Sequence, residues 1–383
     1  MPSLVASPRP FPHLAPSKPP FLEDLYMKYF TPTTISLPNA YIWPEHDRPS
    51  SIPDDIEPSH ATDIPVINMA DDDQTLKDGI ANACEHWGIF YITNHGVPPD
   101  LLESVRQKGL ELFSLPLSTK LRALRKEGSF EGFGKAMISK FFDSLIWSEG
   151  FTMMGHPTSS IANTTSKLFP SGDNKFREAF EEYDRAAQRV AARLMRAILE
   201  GLGVEVEGFK RRQYDVETEA QSALQLNYYA PCPQAHMTMG LPAHTDSTCL
   251  TLLHQGLVPG LEVLRPGRQW MLVPPLGPSS LVVNVGDMLQ VLSNGRYKSI
   301  IHRAIANKRR ERLSIVSLCF PPSTATIAPL EEVIITSKER QPVYKPFKWG
   351  EFMHAKGKYF MGALDHFKYQ PRDDILLAKV SSN

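Results

Sequence analysis

From Ser222 to Pro322 the chain consists almost entirely of short β-type runs parted by proline and glycine turns, and this stretch limits the fold more than any other. The runs cover 223–229, 249–255, 261–264, 270–273, 281–285, 288–293, 299–305 and 313–320. Eight short strands at near-regular spacing predict a sandwich, jelly roll or barrel. The preceding sequence reads differently. Between 174 and 200, Phe176, Phe180, Tyr183, Ala187, Val190 and Leu194 recur at intervals of three and four, which is one buried helical face. Acids at 71–73 open a second helical stripe that Gly88 ends, and a third helix is expected over 100–114. Strands are expected at 64–68, as an edge, and at 89–93. A last helical stripe over 348–368 carries Trp349, Phe352, Met353, Lys356, Phe360 and Leu364, placed to cap the β-rich core. The fold class is therefore mainly β with flanking helices. Four regions are expected: a Pro-rich arm at 1–60, a mostly helical region at 61–215, a β core at 216–330 and a helical cap and tail at 331–383.

Charge and cysteine usage remove several kinds of partner. The 41 Lys and Arg against 42 Asp and Glu leave no polybasic field for nucleic acid or an anionic membrane. Apolar runs stay short of the ~18 residues of a membrane span. Cys84, Cys232, Cys249 and Cys319 are scattered without a CxxC pair, which suggests a reducing compartment, cytoplasmic or nuclear. No motif forces a dimer, so a monomer is expected.

Chemistry is concentrated in two spaced pairs. His244 and Asp246 sit just before a strand, and none of the other histidines, twelve in all, heads an H-x-D. In extended chain, residues i and i+2 share a face, so both can reach one ion. Two His and one carboxylate leave three positions open on an octahedral metal, the arrangement of non-haem iron(II) oxygenases. His302, mid-run in 299–305, is the candidate third ligand. Ten residues on, Arg312 and Ser314 form a second i, i+2 pair, a guanidinium and a hydroxyl suited to a carboxylate. Arg312 belongs to the charged run 308–312, which also reads as turn surface. Its inward placement is preferred because Leu313, Ile315, Ser317 and Cys319 then share the opposite face.

With Asn227-Tyr-Tyr-Ala-Pro-Cys-Pro-Gln234, His244-Thr-Asp246, Asn284-Val-Gly-Asp287, Ser293-Asn-Gly-Arg-Tyr-Lys-Ser299, His302 and Arg312-Leu-Ser314 in this order and spacing, the chain resembles the plant 2-oxoglutarate- and iron(II)-dependent dioxygenases over about 64–367. The resemblance implies a double-stranded β-helix (jelly roll) core. It implies Fe(II) on His244, Asp246 and His302, with O2 and 2-oxoglutarate as cosubstrates and ascorbate as reductant. Arg312 and Ser314 would take the distal carboxylate of 2-oxoglutarate, Tyr229 would donate to it, and Asn227 would place the end nearest the metal. The segments 38–44, Ile138-Ser-Lys-Phe-Phe142 and Leu145-Ile-Trp-Ser-Glu-Gly-Phe-Thr152 resemble the gibberellin 3-beta-dioxygenases within that family. That implies C-3β hydroxylation of a gibberellin precursor by hydrogen abstraction from an unactivated C–H bond, with release of succinate and CO2. The Ser- and Thr-rich 158–166 departs from the pattern. Oxidation elsewhere on gibberellin (2-oxidation or 2,3-desaturation) and a flavonoid or specialised metabolite are the alternatives. A zinc-binding or hormone-binding jelly roll without catalysis is the reading from another class. An apolar diterpenoid needs aromatic walls and a few polar groups. Trp147, Phe151, Phe141 and Tyr228 are the candidate walls, and Lys140, Arg122 and Lys135 the candidate cations for its carboxylate.

Overall fold

The computed structural model describes residues 36–49 and 63–369, except 127, 158, 171, 173, 268 and 339. Most of the Pro-rich arm expected at 1–60 lies outside the described residues. Its described part, 36–49, tucks Tyr41 and Trp43 into the body of the protein.

The N-terminal half begins as a β-α-β unit. Strands β1 (Val66–Asn68) and β2 (Ile89–Thr93) pair in parallel, so a crossover is required, and the helix Asp73–His86 provides it. Asp72 caps that helix, accepting from the backbone of Gln74 at 3.1 Å and Thr75 at 3.0 Å, an arrangement that contributes about 1 kcal/mol. Gly88 stops it at φ 69°, a left-handed turn closed to most side chains. Helices Pro99–Ser114 and Lys175–Gly201 follow as expected. On the second, Phe176, Phe180, Tyr183, Val190 and Leu194 are buried in one large apolar core, and Ala187 on the same stripe is buried as well. Each of the larger side chains contributes about 1.5–3 kcal/mol by burial.

The other strands of the two main sheets are β3 (Gly132–Gly134), β4 (Glu149–Met154), β5 (Gln221–Tyr229), β6 (Leu241–His244), β7 (Leu250–His254), β8 (Leu261–Arg265), β9 (Gln269–Val273), β10 (Leu281–Val285), β11 (His302–Ala304) and β12 (Arg312–Phe320). They form a major sheet in the order β1-β2-β10-β7-β12-β5-β4-β3 and a minor sheet in the order β6-β11-β8-β9. Both sheets line one cavity, and helices cover the outer face of the major one. This is the jelly-roll core with helical flanks. Alternation along β12 sorts its two faces: Leu313, Ile315 and Cys319 enter the helix-side core, while Arg312, Ser314, Val316 and Leu318 line the cavity.

The structure departs from the sequence expectation at several elements. The run 288–293 is a helix, Asp287–Leu292, not a strand. Met288, Leu289, Val291 and Leu292 are all buried, so a short apolar run carried no period that could tell the two apart. The run 299–305 is a strand only at His302–Ala304, where a register irregularity separates its pairing to β6. The mostly helical first half also supplies β1 to β4, half of the major sheet; β3 and β4 were not foreseen, nor was β6 in the second half. In β4 most side chains are buried on both faces, which erases the alternation that betrays a half-exposed strand.

Candidate active site

Strand pairing builds the metal cluster. His302 on β11 is the register partner of His244, the last residue of β6, which brings the two imidazoles to 4.2 Å between ring centroids. Asp246 follows in the turn after β6. Its Oδ1 lies 3.6 Å from His244 Nε2 and 3.7 Å from His302 Nε2. These gaps are too long for hydrogen bonds, yet shorter than twice a typical ~2.1 Å bond from a metal to nitrogen or oxygen. One ion can therefore touch all three residues, whose ligand atoms lie within 4.8 Å of one another.

The protonation states suit a cation. His244 Nδ1 faces the Pro242 carbonyl at 2.8 Å and His302 Nδ1 faces that of Ile300 at 3.1 Å, which fixes each tautomer and leaves Nε2 as the ligand atom. Burial, reinforced by His302, pushes His244 down to about 3, so it is neutral at pH 7. Burial alone would raise the Asp246 carboxyl, but the facing imidazoles hold it below its ordinary value. The Oδ2 of Asp246 is buried and finds no hydrogen-bond donor among the described residues. The Thr251 hydroxyl beside it is engaged with Thr248 Oγ1 at 3.0 Å. A buried carboxylate oxygen left bare in this way fits a metal ligand.

The other end of the cavity is cationic. Arg312, 2% exposed, pairs in register with Tyr229, and Ser314 pairs with Asn227. The guanidinium lies 5.1 Å from the Tyr229 ring centroid, and its Nε donates to the Val258 carbonyl at 3.2 Å. Its Nη1 is buried without a partner among the described residues. Burial lowers the Arg312 pKa, with Tyr229 opposing, but guanidinium remains charged. A buried arginine with an open N–H calls for an anion. Gly260 makes room for it, since a Cβ there would stand 2.8 Å from Arg312 Cδ and 2.9 Å from the Ile305 carbonyl.

The cavity between the two ends measures about 60 Å³. All seven residues assigned from sequence to metal and cosubstrate line this cavity.

The aromatic walls fare differently. Phe151 and Tyr228 do not face the cavity. Phe151 packs on the helix side between Phe113 and Phe133, and Tyr228 stacks on Phe113 and donates to Glu311. Adjacent strand residues point to opposite faces, so Tyr229 facing inward sends Tyr228 outward. Trp147 is buried against Tyr41, with its indole N–H on the Ala230 carbonyl at 2.9 Å. Phe141 is half-buried and stacks on Phe360 at 4.7 Å, in a 3-10 turn that touches β6. Its neighbour Phe142 packs on Trp43 and, like the cavity-lining Leu241, against the small buried cluster of Trp43, Ile146, Met239 and Ile305. Of the candidate cations, Arg122 is exposed. Lys140 lies over the Phe141 ring at 5.2 Å. Lys135 lies over Tyr41 at 4.6 Å, pushed down to about 8 by burial.

Two polar residues at the site were not singled out from sequence for a role. Lys356 and Asp287 form a buried ion pair at 2.8 Å beside Thr245. Their signals were present: a lysine in an apolar helical stripe, and an aspartate closing the Asn284-Val-Gly-Asp287 motif.

Comparisons with known proteins agree with this geometry. Residues 220–321 match the 2OG-Fe(II) oxygenase superfamily, and residues 64–172 match the N-terminal region described as non-haem dioxygenase in morphine synthesis. Gibberellin 3-beta-dioxygenase 1 of Arabidopsis thaliana is 40% identical over 329 residues, covering 86% of this chain and 89% of the relative. Gibberellin 3-beta-dioxygenase 1 of Pisum sativum is 39% identical over 330 residues, 86% of each chain. Among solved structures, JOX2 in complex with 2OG, Fe and JA superposes with a TM-score of 0.75 at 29% identity, covering 88% of this chain and 94% of that one.

Proposed function

The chain belongs to the plant iron(II)- and 2-oxoglutarate-dependent dioxygenases, and from that premise we propose that it hydroxylates a gibberellin precursor at C-3β. The observation that carries the substrate reading is the likeness to gibberellin 3-beta-dioxygenases along most of both chains. The segments around 138–152 support it.

In this reading His244, Asp246 and His302 would hold Fe(II), and three protein ligands would leave it able to take cosubstrates. Arg312 and Ser314 bind the distal carboxylate of 2-oxoglutarate, with Tyr229 donating to it, and Asn227 orients the end nearest the metal. When bound, iron and 2-oxoglutarate supply the oxidation, in which O2 converts 2-oxoglutarate to succinate and CO2 and one oxygen enters a C–H bond. The protein's own work is positional. The buried carboxylate clamp fixes the cosubstrate's direction, and the apolar lining from Leu241, Leu253, Leu261, Val316 and Leu318 keeps water from the reacting centre. Phe141 supplies part of an aromatic wall at the mouth, where the rigid diterpenoid rests with one C–H turned inward. Lys140 beside it is the cation placed to meet the substrate carboxylate.

Anaerobic reconstitution with Fe(II), 2-oxoglutarate and a panel of gibberellin precursors, followed by O2 and mass spectrometry, tests this. The expected result is succinate formed in step with a +16 Da product bearing a 3β-hydroxyl. A product hydroxylated at C-2 overturns the regiochemistry. Succinate without any gibberellin product overturns the substrate.

A further inference from the structure

The helix Trp349–Tyr359 packs an apolar stripe against the barrel, with a lysine set into it. Lys356 is 9% exposed, and its Nζ donates to Thr245 Oγ1 at 2.7 Å and to Asp287 Oδ2 at 2.8 Å. Thr245 Oγ1 in turn donates to the same Asp287 oxygen at 3.2 Å, closing a triangle. Thr245 is the residue between two of the three metal-cluster side chains.

The turn is held from two directions. The Asp287 backbone N–H donates to the Asp246 carbonyl at 2.8 Å, and Met288 N–H to that of Thr248 at 3.0 Å. From the C-terminal helix, the Trp349 indole donates to the Ser247 carbonyl at 2.9 Å. Thr245 is thus tied to both of two elements distant in sequence, and residues 246 to 248 each to one of them. A buried ion pair is a poor source of stability compared with apolar packing of equal volume, but it is directional. Here the direction is set on Thr245, and so on the backbone that aims Asp246.

We propose that Lys356, through Thr245 and Asp287, is a positioning residue for the metal: it holds the 245–248 turn so that the Asp246 carboxylate stays trained on His244 and His302. The proposal rests on the iron-site reading given above. Residues of this kind, bonded to the surroundings of a ligand and not to the metal, typically change metal affinity 10- to 100-fold when removed.

The test uses the full-length protein stripped of metal and titrated calorimetrically with Co(II), alongside thermal melting. Lys356→Met leaves Asp287 buried and unpaired, so it will confound stability with positioning. The informative variants are therefore Lys356→Met/Asp287→Asn, which removes both charges, and Thr245→Val, which removes the hydroxyl and keeps the ion pair. Both are expected to melt near the wild type and to bind Co(II) about 10- to 100-fold more weakly. Lys356→Arg should recover part of the affinity that Lys356→Met loses. Wild-type Co(II) affinity in either informative variant overturns the proposal, and so does an affinity loss that simply follows melting temperature across the series. If the wild type fails to bind Co(II), or His302→Ala binds it equally well, the iron-site reading itself fails.

Discussion

On the major sheet, Arg312, Ser314, Asn227 and Tyr229 lie in a ladder of nine paired residues between β5 and β12, flanked by β4 and β7. On the minor sheet, His244 and His302 lie on strands of four and three residues, with a register irregularity between them. The two ends of one cavity are therefore held by different means. Nine-residue pairing sets which way the cosubstrate end faces, because a slip of one residue would turn Arg312 into the helix layer, and the 258–260 loop seats the guanidinium. The metal end has little ladder to rely on. It depends on carbonyls that lock the imidazoles and on loops bolted from the Asp287 helix and the C-terminal helix. Damage to the first end should come from its ladder and the 258–260 loop packed on Arg312, whereas the second end should respond to the Asp287 helix and the C-terminal helix.

The largest effect expected is at the minor sheet. His302→Ala removes a candidate ligand from a short strand, and turnover should fall below about one-thousandth. The melting temperature of the metal-free protein should change little, since the cavity already separates this side chain from the main apolar core. Loss of folding along with activity would mean that β11 needs His302 structurally. At the cosubstrate end, Gly260→Ala, in the loop before β8, places a Cβ against Arg312 Cδ and the Ile305 carbonyl. The expected outcome is about a tenfold rise in KM for 2-oxoglutarate and a loss of about 1–3 kcal/mol of stability. Metal affinity should be unchanged, and a parallel change in metal affinity would erase the distinction between the ends.

A smaller effect concerns acid stability of the major sheet. His254, at the end of β7, is 3% exposed, and burial pushes it down to about 4, partly offset by the Pro278 backbone. The unfolded chain takes up that proton near its ordinary pKa of 6.5, while the native protein resists until about 4. The unfolded state thus binds more protons in this window, and stability falls as pH is lowered through it. This one group accounts for about 3 kcal/mol across the window. Denaturant melts of His254→Gln against the wild type at pH 7 and pH 5 should show a shallower acid limb in the variant.

Much of this was legible in the sequence, for physical reasons that also mark where legibility stopped. R-x-S is readable because a strand puts i and i+2 on one face, with Leu313 and Ile315 giving the sign of that face; in H-x-D only His244 is on a strand, and Asp246 reaches the same point from the turn that follows. The same alternation makes Tyr228 an outward residue once Tyr229 faces in, and Phe151 shares its helix side through pairing with Leu226. Reading Phe151 and Tyr228 as substrate walls thus overlooked a constraint already present in the strand period. The stretch 288–293 was unreadable because its apolar run is short and buried all round, and β4 because burial on both faces leaves no period. The Lys356–Asp287 pair joins residues 69 positions apart. No local pattern encodes such a contact, although a lysine within an apolar stripe marks where to look.

The central claim, that two sheets hold two ends independently, is tested most directly by anaerobic calorimetric titration of Arg312→Leu with Fe(II) and then 2-oxoglutarate. The account predicts wild-type affinity for Fe(II) and about 100-fold weaker binding of 2-oxoglutarate, the loss expected when a buried carboxylate forfeits its charge-assisted donors. Fe(II) affinity falling together with that of 2-oxoglutarate, or 2-oxoglutarate binding as tightly as in the wild type, would contradict it.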